Sequence, residues 1–376
     1  MLLWTILILA ATIFVAYANG ANDNFKGVAT LFGSGVTDYR SALWWASATT
    51  LAGSLAAFFL ASQLIPIFQG KGLLPNSLGE SRPFVAAVIL AAALTVFLAT
   101  KLGLPVSTTH SLTGALLGSG FMATGGDLGF DKLAHSFFLP LLASPLVALA
   151  LTVVAYPLLS TALRLAGLTR ENCVCIGNEI VPLTVTPEGY AMSRASKSLR
   201  ILVDRETECV QRLSGTLFGV NAQSAIDVGH YLSAGAVSFA RGLNDTPKIV
   251  ALGLTAGALD LSWAVGFVAF IMALGGLLGA RKVAETVSNR ITRMEPDEGF
   301  VANLVTSFLV IFASKWGLPV STTHVSCGAL FGIGMVNGQA QWRVVRTILL
   351  AWVLTLPLAG ISAGVIYAVL SRWPVA

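Results

Sequence analysis

Ten apolar runs, at 2–19, 42–64, 83–100, 105–123, 136–163, 230–257, 261–280, 300–314, 321–337 and 345–370, constrain this chain more than any other feature. A helix needs about 20 apolar residues to cross a bilayer. Counting broken segments, the runs predict about 10–12 membrane crossings, so the fold class expected is an all-α polytopic membrane protein. Composition agrees: 55% of residues are hydrophobic and 11% charged, against roughly 25% charged in soluble domains. A soluble helical bundle of this size could not hide that much apolar side chain. The first run lacks a basic leader and enters a polar motif directly, so it is read as a mature segment rather than a signal peptide.

Inside this apolar background one polar sentence is written twice. KLGLPVSTTHSLTGALLGSG starts at Lys101 and KWGLPVSTTHVSCGALFGIG at Lys315, with fourteen of twenty aligned positions identical. A second pair lies upstream of each copy. Gly20, Asn22, Asp23 and Lys26 form Gly-x-Asn-Asp-x-x-Lys, and Gly242, Asn244, Asp245 and Lys248 repeat it. The two motif pairs are offset by 222 and 214 residues, so an internal duplication organises the chain. The expected division is a first transmembrane repeat at 1–163, a polar loop at 164–215 and a second repeat at 216–376. Between Arg164 and Arg212 stand seven Lys/Arg and six Asp/Glu. A second basic loop carries Arg281, Lys282, Arg290 and Arg293 two runs later. Both loops then lie on one side, and the positive-inside rule makes that side cytoplasmic. The central loop is read as the join between repeats.

A carboxylate at membrane depth is costly and usually marks function. Asp23 follows the first run and Asp245 lies inside another, so both are expected to face protein or a water-filled cavity. Gly20, Gly242 and Pro247 are expected to break the helices beside them. In the LPVSTTH copies, Gly103 with Pro105 and Gly317 with Pro319 interrupt the apolar run, and Ser/Thr then open a new helix. A helix N-terminus carries about half a positive charge and outward N–H groups, which suits an oxyanion. Ser107, Thr108, Thr109, Ser321, Thr322 and Thr323 are therefore the candidate anion cradle, two halves from two copies. Duplicated halves with broken or re-entrant helices at the midplane are the signature of secondary transporters. If each repeat has an odd number of crossings, the two have inverted topology.

These residues resemble the inorganic phosphate transporter family, whose members share two Gly-x-Asn-Asp motifs and two Pro-x-Ser-Thr-Thr-His motifs. The resemblance implies phosphate as substrate, bound by the two Ser-Thr-Thr segments together with Asn22 and Asn244. It implies sodium held near the Asn-Asp pairs in sodium-coupled members. Those members read Gly-Ala-Asn-Asp-Val-Ala-Asn, whereas Lys26 and Lys248 here end the heptad. Some proton-coupled bacterial members similarly have lysine in the second copy. An ammonium beside Asp23 or Asp245 takes the place and charge of a bound cation. The expected function is thus phosphate import by proton symport, with a metal–phosphate complex as one form of the cargo. A sulfate permease and a sodium-coupled phosphate symporter remain the alternatives. Expected partners are a tetrahedral oxyanion and the lipid bilayer, with no nucleic acid, and a homodimer is left open. No cofactor or protein-bound metal is expected; H+ is the coupling ion, and the location is the cell membrane, multi-pass.

Other features are read more plainly. His110 and His324 are expected to be satisfied by local hydrogen bonds in a first helical turn, with proton shuttling as the alternative. Asp260 is either a helix start or a functional carboxylate. Arg241 could contact an anion, yet its counterpart is Asn19, so symmetry does not support it. Cys173, Cys175, Cys209 and Cys327 form no disulfide framework. A channel would also use the duplicated dipoles. A hydrolase could use Ser107 with His110 or Ser321 with His324, but neither histidine has an acid placed to orient it. No enzyme activity is expected.

Overall fold

The computed structural model describes residues 2–165, 172–182, 193–205, 213–255 and 260–373. Among the described residues, each of the ten apolar runs lies mainly on helix. Six helical segments among the described residues are long and apolar enough to cross a membrane: Leu2–Gly33, Tyr39–Leu60, Arg82–Lys101, Phe130–Leu165, Pro296–Lys315 and Trp342–Leu370. A seventh is a bent pair, Trp263–Gly279 followed by Arg281–Asn289, with a 74° break. The second motif lies on a 34-residue helix, Ala222–Thr255. The helices opened by the Ser-Thr-Thr segments, Thr108–Thr124 and Thr322–Val336, are 17 and 15 residues long. At about 1.5 Å per residue, neither reaches across a hydrocarbon core of about 30 Å.

Two compact units divide the chain, one of residues 1–153 with 231–376 and one of 154–230. The smaller holds a three-stranded antiparallel sheet in the order β2–β1–β3, built from Asn172–Pro182 (β1), Ser193–Arg205 (β2) and Leu213–Asn221 (β3). The segment read as a plain join thus contains strands, and β3 runs past residue 215. Cys173 and Cys175 lie on β1; Cys209 is outside the described residues.

The larger unit carries both motif pairs. Leu2–Asp23 packs between Arg82–Lys101 and Leu261–Gly279. Thr108–Thr124 lies against Trp342–Leu370. Small residues permit that contact: a Cβ added at Gly114 or Gly118 would collide with the carbonyl of Leu356 or Gly360. The second copy repeats the device, since a Cβ at Gly328 would collide with Pro145 O. Each short helix therefore packs against the long helix of the other half. Close backbone approach through small residues is the usual means of packing helices in lipid.

The start of each short helix is fixed locally. Gly103 (φ 71°) and Gly317 (φ 69°) take the left-handed conformation that ends the preceding helix. The amides of Leu104 and Leu318 then donate back to Ala99 O at 2.9 Å and Ala313 O at 2.8 Å, closing both helix ends in the same way. Ser107 and Ser321 are the caps, accepting from the amides of His110 at 3.1 Å and His324 at 3.2 Å. Arg281 and Lys282, read as part of a basic loop, begin the helix Arg281–Asn289, and the Lys282 ammonium donates to Lys101 O at 3.0 Å.

One expectation fails here. The helices do not break at Gly20 or Gly242. The first remains α-helical to Asp23 and becomes a 3-10 helix over Asn24–Val28; the second runs unbroken past Gly242 and contains Pro247. The glycines serve packing instead. A Cβ at Gly20 would strike Met272 O, and one at Gly242 would strike Thr50 O.

Candidate functional site

At the end of Leu2–Asp23 the change to a 3-10 helix turns Asn22, Asp23 and Lys26 inward, all at most 4% exposed. On the 34-residue helix, Arg241, Asn244, Asp245 and Lys248 are equally buried. Helical spacing of three and four residues places Arg241, Asp245 and Lys248 on one face. The two groups of charges meet around the starts of both short helices.

Four oxygens surround the three N–H groups of Lys26 Nζ: Asp23 Oδ1, Asn22 Oδ1 at 2.8 Å, Val106 O at 2.9 Å and Thr323 Oγ1 at 2.7 Å. Lys248 Nζ donates to Asp245 Oδ1 at 3.2 Å, Val320 O at 2.9 Å and Thr109 Oγ1 at 2.7 Å. The patterns correspond. Each lysine bonds the aspartate three residues before it, the valine carbonyl of its own half's LPVSTTH, and the last threonine of the other half's. The threonines complete the exchange, with Thr323 Oγ1 donating to Val106 O at 3.0 Å and Thr109 Oγ1 to Val320 O at 3.3 Å.

The asparagines and the remaining threonines tie this core to its surroundings. Asn22 Nδ2 donates to Thr100 Oγ1 at 2.9 Å and Leu104 O at 3.0 Å. Asn244 Nδ2 donates to Val320 O at 3.2 Å, and its Oδ1 accepts from Ser314 Oγ at 3.1 Å. Thr108 Oγ1 donates to Asp23 Oδ2 at 3.1 Å. Thr322 is buried at the first position of its helix. Of the residues singled out in the sequence, Asn22, Asp23, Lys26, Thr108, Thr109, Asn244, Asp245, Lys248 and Thr323 join one hydrogen-bonded cluster. Ser107 and Ser321 act as caps at its edge.

Two participants were not expected. Arg241, set aside because its counterpart is Asn19, places Nη2 3.6 Å from Asp23 Oδ1. Asn19 Nδ2 turns its two N–H groups toward Asp23 Oδ2 at 2.9 Å, Thr108 Oγ1 at 2.9 Å and Asp245 Oδ2 at 3.3 Å. It thus spans both carboxylates. The sequence signal was present: each residue stands one helical turn before its aspartate. With Arg241 included, three basic side chains face two carboxylates, a formal balance of one positive charge.

The histidines differ from expectation. Their rings lie tilted by 31° with centroids 4.3 Å apart, and the His324 and Trp352 ring centroids are 3.7 Å apart. Among the described residues His324 Nδ1, His324 Nε2 and His110 Nδ1 have no hydrogen-bond partner. Local bonding stops at the backbone, where each histidine amide meets its serine cap. Both rings wall an apolar cavity of about 730 Å³, with Leu141, Leu149, Phe331, Trp352 and Pro357. An anion would lose its hydration there with nothing in return. Asp260 is exposed at the N-cap of Leu261–Gly279, which places it at a helix start.

An integral, multi-pass helical membrane protein with paired charges buried at duplicated helix starts is a transporter architecture. The model of the phosphate transporter family matches residues 19–363, and the chain belongs to that family. A relative from Pyrococcus horikoshii, provisionally named a phosphate permease, is 29% identical over 405 residues, covering 98% of each chain. An inorganic phosphate transporter of Arabidopsis thaliana, chloroplastic, is 25% identical over 418 residues, covering 94% of this chain and 70% of its own. A solved structure described as a sodium-dependent phosphate transporter shares the fold, with TM-score 0.76 at 20% identity, over 99% of this chain and 100% of its own.

Proposed function

We propose that this protein imports inorganic phosphate by secondary active transport driven by protons, without sodium. The reading rests on one observation: each buried ammonium occupies an oxygen-lined position of the kind a hard cation takes. Lys26 Nζ has carboxylate, amide, carbonyl and hydroxyl oxygens around it, and Lys248 Nζ has carboxylate, carbonyl and hydroxyl. Oxygen ligands of these types are what hard cations select. In this reading Lys26 and Lys248 are fixed counter-ions to Asp23 and Asp245. Ser107, Thr108, Thr109, Ser321, Thr322 and Thr323, with Asn22 and Asn244, supply the substrate's hydrogen bonds.

A fixed lysine cannot travel with the substrate, so uphill import still needs a mobile cation. The proton is the one that needs no oxygen cage of its own, and a metal–phosphate complex would bring further charge as part of the cargo. The two halves are read as inverted repeats meeting at this site, with the polar segment 164–215 on the cytoplasmic side. The test is uptake of labelled phosphate into proteoliposomes at fixed pH gradient and voltage, with sodium replaced by choline. Uptake is expected to persist. A fall to background in choline would show that the lysines do not replace the cation.

A further inference from the structure

Two buried groups beside Asp23 hold hydrogen-bonding capacity that the described fold leaves unused. Arg241 is 2% exposed, and neither Nη1 nor Nη2 has a hydrogen-bond partner among the described residues. Its 3.6 Å approach to Asp23 is an ion pair, too long for a hydrogen bond. Asn19 is 1% exposed. Its amide orientation is set by the three acceptors around Nδ2, namely Asp23 Oδ2, Thr108 Oγ1 and Asp245 Oδ2. That orientation leaves Oδ1 without a donor. Buried polar atoms are almost always paired, and those that are not call for an explanation.

We propose that Arg241 and Asn19 are a substrate-contacting pair that selects a protonated tetrahedral oxyanion, phosphate over sulfate. The inference rests on the phosphate reading above and adds the residues that make the choice. The guanidinium donates through Nη1 and Nη2 to oxyanion oxygens, a geometry to which its planar fork is suited. Asn19 Oδ1 accepts from the anion's hydroxyl. Inorganic phosphate near neutral pH keeps a hydroxyl in both of its common ionic forms. Sulfate has none, and would set one lone pair against another. Discrimination of this kind is steep: a site built to bond a substrate hydroxyl rejects analogues lacking it by about 10⁴-fold in favourable cases. Arg241 also turns a formally neutral set of two aspartates and two lysines into one with a single positive charge, which attracts either anion, so the choice between them falls to the hydroxyl and Asn19 Oδ1.

The experiment is calorimetric titration of the purified full-length protein in detergent with phosphate, arsenate and sulfate, each with sodium and with choline. Phosphate and arsenate are expected to bind, and sulfate about a hundredfold more weakly. Arg241→Gln should weaken phosphate binding about tenfold or more, with Arg241→Lys in between. Asn19→Ala also removes the Nδ2 contacts to both aspartates, so it should weaken both anions, but phosphate by more, so that their ratio narrows; a purely structural role would weaken both equally. Sulfate binding as tightly as phosphate to the unmodified protein would overturn the proposal, even if the variants fail to fold. So would unchanged phosphate affinity in Arg241→Gln. Protein that binds none of the anions would remove the phosphate reading together with this one. Phosphate bound without preference over sulfate would remove this one alone.

Discussion

Replacing Lys26 and Lys248 together by asparagine is expected to create a sodium dependence that the unmodified protein lacks. The ammonium groups lie within 2.7–3.2 Å of Thr109, Thr323, Val106, Val320, Asn22 and Asp245 oxygens. A sodium ion near those oxygens would stand about 4 Å from the ammonium at best. At an effective dielectric of about 20 that repulsion is about 4 kcal/mol, or about three orders of magnitude in dissociation constant. Asparagine removes the repulsion and offers an oxygen ligand. It also takes the lysine from both buried carboxylates, and losing one partner of a buried ion pair costs about 3–5 kcal/mol at each. Sodium at a hundred times its dissociation constant would return about 2.7 kcal/mol at each of the two sites.

The double variant should therefore unfold at lower temperature than the parent in choline buffer and recover most of the difference in sodium. The parent should be indifferent to the exchange. Thermal unfolding of detergent-purified protein reads the stability, and proteoliposome uptake at fixed pH gradient reads the coupling. A variant whose melting temperature and uptake ignore sodium would refute the idea that the lysines occupy cation positions.

Asp23→Asn and Asp245→Asn should each reach the membrane but reduce uptake to background, because each leaves a buried lysine without its carboxylate; wild-type rates in both would make these aspartates purely structural. Cysteines placed at Ser107 and Ser321 should react with impermeant reagents from opposite faces in different transport states. Reaction of both from the same face under every condition would rule out inverted repeats.

Much of the fold could be read from local chemistry. The short helices begin at Ser107 and Ser321 because a left-handed glycine, a proline and a capping serine leave the backbone little choice, and that information lies within seven residues. What stayed hidden depends on partners distant in the chain. A glycine in an apolar helix means a break or a close neighbour. Only the carbonyls of Met272 and Thr50 show that Gly20 and Gly242 mean the latter. Arg241 was set aside because alignment of the halves pairs it with a neutral Asn19. Space does not follow that alignment, since Asn19 reaches both aspartates and Arg241 sits beside the aspartate of the other half. The polar segment read as a plain join hid strands, although β-branched residues in CVCIGNEIV and LRILVD were the signal for them.

The exchange of partners between halves bears on how transport could proceed. Each half's lysine is bonded to the other half's threonine, and each short helix packs on the other half's long helix. Rocking one half against the other must part Lys26 from Thr323 and Lys248 from Thr109. Hydrogen bonds to charged groups contribute about 1.5–3 kcal/mol each, so separating both costs about 3–6 kcal/mol unless something replaces them. Water would do so only by entering a closely packed interface. A tetrahedral oxyanion does it directly, because its oxygens can accept from the same ammonium and hydroxyl donors while the halves part. The empty protein would then resist the motion that the loaded protein permits. That is the condition a coupled transporter must meet if it is not to leak.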